Sequence, residues 1–141
     1  MNDQVVMDPR ISKFLRKHHV LTLCTSIEGQ AWVSHAFYVV SSTGDLVFTS
    51  APQTRHIYEG EINPRVAVSV VLESRIVGRL QGIQITGILH QGDESDKKAY
   101  IKRFPYAAAS LEPMWRVEIL TAKLTDNTLG FGKKLHYKKE L

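Results

Sequence analysis

A chain of 141 residues with 43% hydrophobic and 23% charged side chains fits one globular domain and excludes a disordered one. No uncharged apolar stretch nears the roughly twenty residues of a membrane helix, and Met1 to Arg10 lacks the apolar core of a secretory leader. The net charge of +4 lies mostly in Lys133, Lys134, Lys138 and Lys139 of a basic tail over 133–141, so no nucleic-acid face is expected in the fold.

Asp8-Pro9 predicts a helix start, with Asp as N-cap and Pro at the first helical position. Ile11, Phe14, Leu15 and His18 follow at helical spacing, with Arg16 to His19 as basic groups at the C-terminal end. From Val20 the pattern becomes that of strands. Leu21 to Thr25 is one, closed by a turn at Glu28-Gly29, and Ala31 to Val40 reads as a single long second strand. Ser41 to Asp45 turns the chain into Leu46 to Ser50. Ala51 to Gly60 then predicts a short helix stopped by its glycine.

Asn63-Pro64 leads into Arg65 to Leu72, where Val66, Val68 and Val70 share a face. Ile76 to His90 holds a further strand, with Ile83, Ile85 and Leu89 on one face and Gln84 and Thr86 on the other. Gly87 within it predicts a bulge or a close approach. Gly92 to Phe104 is a polar helix, capped by Asp93 or Ser95 and stopped by Pro105. Met114 to Thr125 is the last long strand, and its apolar phase slips between Ile119 and Leu120 as at a bulge. About six locally pairing strands and three helices do not alternate as in a doubly wound sheet. They predict one α+β domain over 1–141, an antiparallel β-barrel with short helices at its rim.

Catalytic patterns are missing. His18 and His19 are neighbours, so they diverge by about 100° on a helix, and the other histidines have no partner at ligand spacing. No metal site is expected. Cys24, the one cysteine, sits in an apolar strand as a small core residue would, and with no second cysteine a reduced, cytoplasmic setting is expected. There is no nucleophile elbow, phosphate loop or dinucleotide glycine pattern.

One segment carries chemistry. In Thr49-Ser50-Ala51-Pro52-Gln53-Thr54-Arg55-His56 a strand ends in two hydroxyl residues, and a helix opens on Thr54-Arg55. Free N–H groups at that helix start, the hydroxyls and the guanidinium can converge on an anion. The plain alternative is that Thr54 caps the helix and Arg55 points into solvent.

The run from Gly29 through Val70 resembles the flavin-binding split barrels related to pyridoxamine-phosphate oxidase. Ala36-Phe37-Tyr38, Lys97-Lys98-Ala99-Tyr100 with Arg103-Phe104-Pro105, and the long Thr125 to Lys134 motif are similar to the YhbP-like branch of that superfamily. The resemblance implies a split barrel that binds FMN at the interface of a homodimer. It places Thr49, Ser50, Thr54, Arg55 and His56 at the flavin phosphate, His56 standing where the family carries lysine. Ser34, His35, Ala36 and Phe37 would line the ring or ribityl side. Gln84, preferred to Gln81 because it shares a face with Thr86, would contact the ring. Asn127 and Lys133, in the glycine-rich loop near the C-terminus, are candidates for contact with substrate or the partner subunit; the loop's plain alternative is a turn that Asn127 caps locally.

The resemblance thus implies a flavin-dependent oxidoreductase of unnamed substrate, with no catalytic side chain nominated and the pyridoxal-phosphate-binding residues of the oxidase not recognisable. The competing expectations are a non-enzymatic flavin or haem carrier or sensor, with His18, His35 or His90 as axial ligand, and a cofactor-free dimeric interaction domain.

Overall fold

The computed structural model describes residues 6–109 and 112–140. Residues 1–5 of the stretch searched for a leader, and Leu141 at the end of the basic tail, lie outside it. Helix α1 (Pro9–Lys17) begins as expected, with the Asp8 carboxylate accepting from the Arg10 amide, and it buries Ile11, Phe14 and Leu15. Eight strands follow in one antiparallel sheet: β1 (Val20–Ile27), β2 (Gln30–Phe37), β3 (Val39–Val40), β4 (Leu46–Thr49), β5 (Arg65–Leu72), β6 (Gln81–Gln91), β7 (Met114–Asp126) and β8 (Lys134–Lys138). Helices α2 (Arg55–Ile62) and α3 (Glu94–Arg103) sit in the crossings. Among the described residues no helix is long and apolar enough to cross a membrane.

The strand order is β2-β1-β5-β6-β7-β4-β3, with β8 added on β7. β2 and β3 stand at opposite ends of that order, yet they are one run of chain broken at Tyr38. The long strand expected over Ala31 to Val40 therefore changes partners in its middle, leaving β1 and joining β4. A sheet whose two ends belong to one segment curls on itself, and the fold is an α+β split barrel. Tyr38 is fully buried at the break. Its amide donates to His19 O at 2.9 Å and its hydroxyl to Leu15 O at 2.6 Å.

Arg103, from the end of α3, locks the same corner. Its guanidinium donates to the carbonyls of Tyr38 (3.2 Å), Arg16 (3.2 Å) and His18 (2.8 Å). Those last two carbonyls end α1 and have no partner in the helix, so a cation there satisfies them and complements the helix dipole. α3 is itself held by a capping box between Asp93 and Asp96.

Leu21, Leu23, Val66, Val68, Val70, Ile83, Ile85, Leu89, Val117, Ile119 and Leu124 fill the barrel. The two bulge signals prove to be one feature. Thr86 pairs with Thr121 and Gly87 with Ile119, so Leu120 is the extra residue. Gly60 corrects an expectation: it does not stop α2, which runs on to Ile62, but lies buried against Leu89. The basic stretch read as a tail also differs, because Lys134–Lys138 is β8, in register with Thr121 to Thr125 of β7.

A Cβ at Gly87 would lie 2.5 Å from the Glu118 carbonyl oxygen and 2.7 Å from Val117 Cγ1. Backbone there cannot swing aside as a side-chain end can. Gly87→Ala is expected to cost about 1–3 kcal/mol, read as a lower urea midpoint with an unchanged m-value. A parental midpoint would show that the bulge tolerates a side chain.

Candidate functional site

The segment Thr49 to His56 folds as the strand end, turn and helix start expected of it. Ser50 is fixed through its backbone, its amide donating to Pro113 O at 3.2 Å and its carbonyl accepting from Trp115 Nε1 at 2.9 Å. Its Oγ lies 2.7 Å from His56 Nε2 and 3.4 Å from Thr54 Oγ1, and Thr54 Oγ1 is 3.4 Å from the same imidazole nitrogen. Three polar side chains thus meet at one point beside the start of α2. Burial pushes the His56 imidazole below its ordinary value, so it is neutral at pH 7.

Thr54 does not cap the helix. It occupies the N-cap position, but its hydroxyl donates to Ala51 O at 2.8 Å, and no side chain accepts from the first turn. The amides opening α2 are left for an outside acceptor, and the dipole there favours a negative one. Nor does Arg55 point freely into solvent. Its Nε donates to Glu59 Oε2 at 2.9 Å, and its guanidinium carbon lies 4.0 Å over the Trp32 ring. Nη1 and Nη2 have no partner among the described residues. The guanidinium is held edge-out, a cation aimed by an aromatic face and a carboxylate.

What aims it reaches back into the barrel. Glu59 is buried, and its second oxygen accepts from the buried Thr25 hydroxyl at 2.8 Å. Thr25 is the cross-strand partner of Trp32. Trp32, Thr25, Glu59 and Arg55 therefore form a closed unit joining β2, β1 and α2. Sequence reasoning missed Glu59 and gave Trp32 no role of its own. The Arg55–Glu59 spacing of four residues on a helix was a legible signal; the stacking on Trp32 was not.

The remaining candidates part company. Residues opposite one another in an antiparallel pair share a face. Ser34, opposite Leu23, lies on the same face of β2 as Trp32, whereas His35, opposite Thr22, lies on the other and bonds Thr22 Oγ1 at 3.1 Å. Ala36 packs against the barrel core and Phe37 edge-on to Phe104, with centroids 5.7 Å apart. Thr49 gives its hydroxyl to Glu112 O at 2.7 Å instead of joining Ser50. Gln84 is exposed on the outer face of β6, between Ser69 and Lys123. Asn127 ties the loop 127–132 to Val77 and Gly132 through both ends of its amide, at 2.8 and 3.0 Å, while Lys133 is exposed beside it.

The histidines are dispersed, and among the described residues no group of three or more His, Cys, Asp or Glu is placed to hold a metal. The arrangement at α2 suits a phosphate or similar anion: open amides, a hydroxyl–imidazole pair and an aimed guanidinium.

No protein-family model matches the chain. A UPF0306 protein of Yersinia pseudotuberculosis serotype O:1b (strain IP 31758) is 40% identical over 134 residues, covering 92% of this chain and 91% of the relative. A UPF0306 protein of Yersinia pestis bv. Antiqua (strain Angola) matches to the same extent. Solved structures share the fold at lower identity. A heme binding protein from Mycobacterium smegmatis superposes with a TM-score of 0.75 at 17% identity, over 94% of this chain and 60% of that one. A FAD-binding protein from Mesorhizobium loti gives 0.69 at 17%, over 84% and 94%. A NimC/NimA family protein from Clostridium acetobutylicum gives 0.72 at 17%, over 92% and 90%.

Hydrogen bonds from Arg55 and then Thr25 hold the Glu59 carboxyl below its ordinary value. A group lowered in this way stabilises the fold above the ordinary carboxylate range, and that contribution is lost as pH falls through the lowered value. Glu59→Gln is therefore expected to melt below the parent at pH 7 and to converge with it in acid. A gap that stays constant across that range of melts would refute the coupling.

Proposed function

This chain belongs to the UPF0306 family, and from that premise and the anchor at α2 we propose that it is an FMN-binding protein of the YhbP-like branch of the split barrels, acting as a flavin-dependent oxidoreductase. The observation that carries the reading is the uncapped start of α2 with Arg55 aimed beside it. A dianionic phosphate would complete both, and solved proteins of this fold include ones named for binding FAD or haem. Ser50, Thr54, Arg55 and His56 would hold the phosphate, with Thr49 shaping the strand end behind Ser50. Ser34 would line the same side. When bound, the flavin would supply the electron-transfer chemistry that no side chain here provides.

Gln84 and His35 lie on the sheet face opposite α2, so they would reach a flavin from a second copy of the chain. The reading therefore includes a homodimer. Trp32, Val33 and Phe37 on β2, each at least 40% exposed, and Leu129 and Phe131 beside Asn127 and Lys133 offer the apolar surface for it. A cytoplasmic flavoprotein with a small-molecule substrate is the whole of the proposal. One observation favours a haem carrier instead: His18 Nε2 is buried without a hydrogen-bond partner, whereas His35 and His90 are bonded to Thr22 and Glu118.

Titration with FMN, followed by flavin fluorescence, is expected to saturate, with riboflavin binding far more weakly. Arg55→Ala should weaken FMN at least tenfold, about 1.5–3 kcal/mol for a charge-assisted hydrogen bond, and leave riboflavin unchanged. Failure to bind either flavin would remove the reading. A Soret band on haem titration, lost in His18→Ala, would then install the carrier, and indifference to both would leave a cofactor-free dimer.

A further inference from the structure

The group nearest the hydroxyls of the α2 anchor is one whose charge depends on pH. At pH 7 burial holds the His56 imidazole neutral, so the cluster offers one cation there, Arg55. No neighbouring charge opposes that burial. On α2 itself Arg55 and Glu59 are paired at 2.9 Å, Glu59 is tied further to Thr25, and Tyr58 and Glu61 are exposed. β4 carries no titratable side chain, and those of β1 and β2, Cys24 and His35, lie on the opposite face of the sheet. β7 opens on Met114 and Trp115, and its Arg116 is engaged with Asp96 at 3.1 Å. Glu112, just before it, meets the strand end through its backbone carbonyl. Among the described residues the His56 ring has hydrogen-bond contacts with Ser50 and Thr54 alone.

Protons in this cluster are few. Thr49 gives its hydroxyl proton to Glu112 O and Thr54 gives its own to Ala51 O, which leaves Ser50 with the one uncommitted hydroxyl. Its contact with His56 Nε2, at 2.7 Å, runs either way while the ring is neutral. With Nε2 bare, the hydroxyl donates inward to the ring; with Nε2 protonated, it is free to turn outward. A charged ring carries a proton on both nitrogens, so Nε2–H donates to Ser50 Oγ and the hydroxyl proton points away. One proton added to His56 therefore supplies two things beside the open amides of α2: a second cation and a directed hydroxyl donor. A dianion at the helix start favours that form in turn, because opposite charges at close range stabilise the imidazolium against burial.

We propose that the anchor is proton-gated: its dianion binds together with one proton, which is held at His56 Nε2 and turns the Ser50 hydroxyl toward the ligand. This rests on the phosphate reading of the site and adds the condition under which the anion is held. The proton comes from solvent, and by linkage the affinities of the site for anion and of the ring for proton rise by the same factor. A lysine at this position would be charged throughout the neutral range and impose no such condition.

Sulfate is the first probe, because it stays a dianion where a phosphate monoester takes up a proton near pH 6. The His56 ring is followed by NMR of histidine-labelled protein, its signal being the one absent from His56→Gln. Saturating sulfate is expected to raise its titration midpoint by about one pH unit, a tenfold coupling. Sulfate affinity should rise several-fold from about pH 8 to about pH 6, stay level in His56→Lys, and rise less in Ser50→Ala. Calorimetry of FMN binding at pH 7, in buffers of different ionisation enthalpy, should show proton uptake that His56→Lys abolishes. An unmoved His56 midpoint under sulfate would overturn the proposal. So would FMN binding without proton uptake, which would leave the flavin reading intact. A sulfate shift without FMN binding would uphold the gate and remove the flavin alone.

Discussion

Everything in this fold hangs on the change of partners at Tyr38. An open sheet of this order would leave β2 and β3 as two distant edges, but the chain passes from one to the other within a single residue. That is possible because the Tyr38 backbone bonds elsewhere: its amide to the strand start at His19, its carbonyl to Arg103. Arg103 performs two tasks with one planar group, closing the barrel corner and satisfying the end of α1. A lysine, with a compact ammonium and no fork, would not span three carbonyls in this way. Burial of the Tyr38 ring and the bond from its hydroxyl to Leu15 fasten α1 to the same corner.

Closure sets where chemistry can happen. With the interior filled by aliphatic side chains, a ligand must sit at an end of the barrel or on an outer face. α2 covers one end, fitted closely because Gly60 lets its backbone approach Leu89. The start of that helix then lies beside the end of β4, and the hydroxyl of Ser50 meets the imidazole of His56. The Arg55 guanidinium is positioned from below by Glu59 and Thr25 and from the side by Trp32, so its direction is decided by the barrel and not by the helix alone. On the proposed reading, an anion bound at this helix start would require no rearrangement of the guanidinium.

The pleat divides what the sequence lists together. Ser34 and His35 are adjacent, yet one shares the side of Trp32 and the other opens onto the outer face. Gln84 and Lys123 are distant in sequence, yet register makes them neighbours in a row that runs from His35 through Thr22 and Ser69 to His136. A row of this kind is what gives the outer face a charge and a shape of its own.

Local signals were legible because their causes are local. Asp8-Pro9 begins a helix through its own cap, the valines of β5 alternate through the pleat, and Gly87 and the slip at Leu120 mark the bulge that both strands share. The local folding of the segment proposed as the anchor was legible too, since a strand end, two hydroxyls and a helix start lie within eight residues. What could not be read depends on distant parts of the chain. The break at Tyr38 looks like uninterrupted strand until α1 and Arg103 take its hydrogen bonds. Gly60 looks like a stop until Leu89 is placed against it, and the last lysines look like a solvated tail until β7 offers them an open edge. Short-range pattern was enough for most of the elements, for the apolar faces and for the choice of residues proposed as the anchor. Tertiary structure alone decided which of those faces meet, because hydrogen-bond partners and packing neighbours separated by tens of residues are chosen only when the barrel closes.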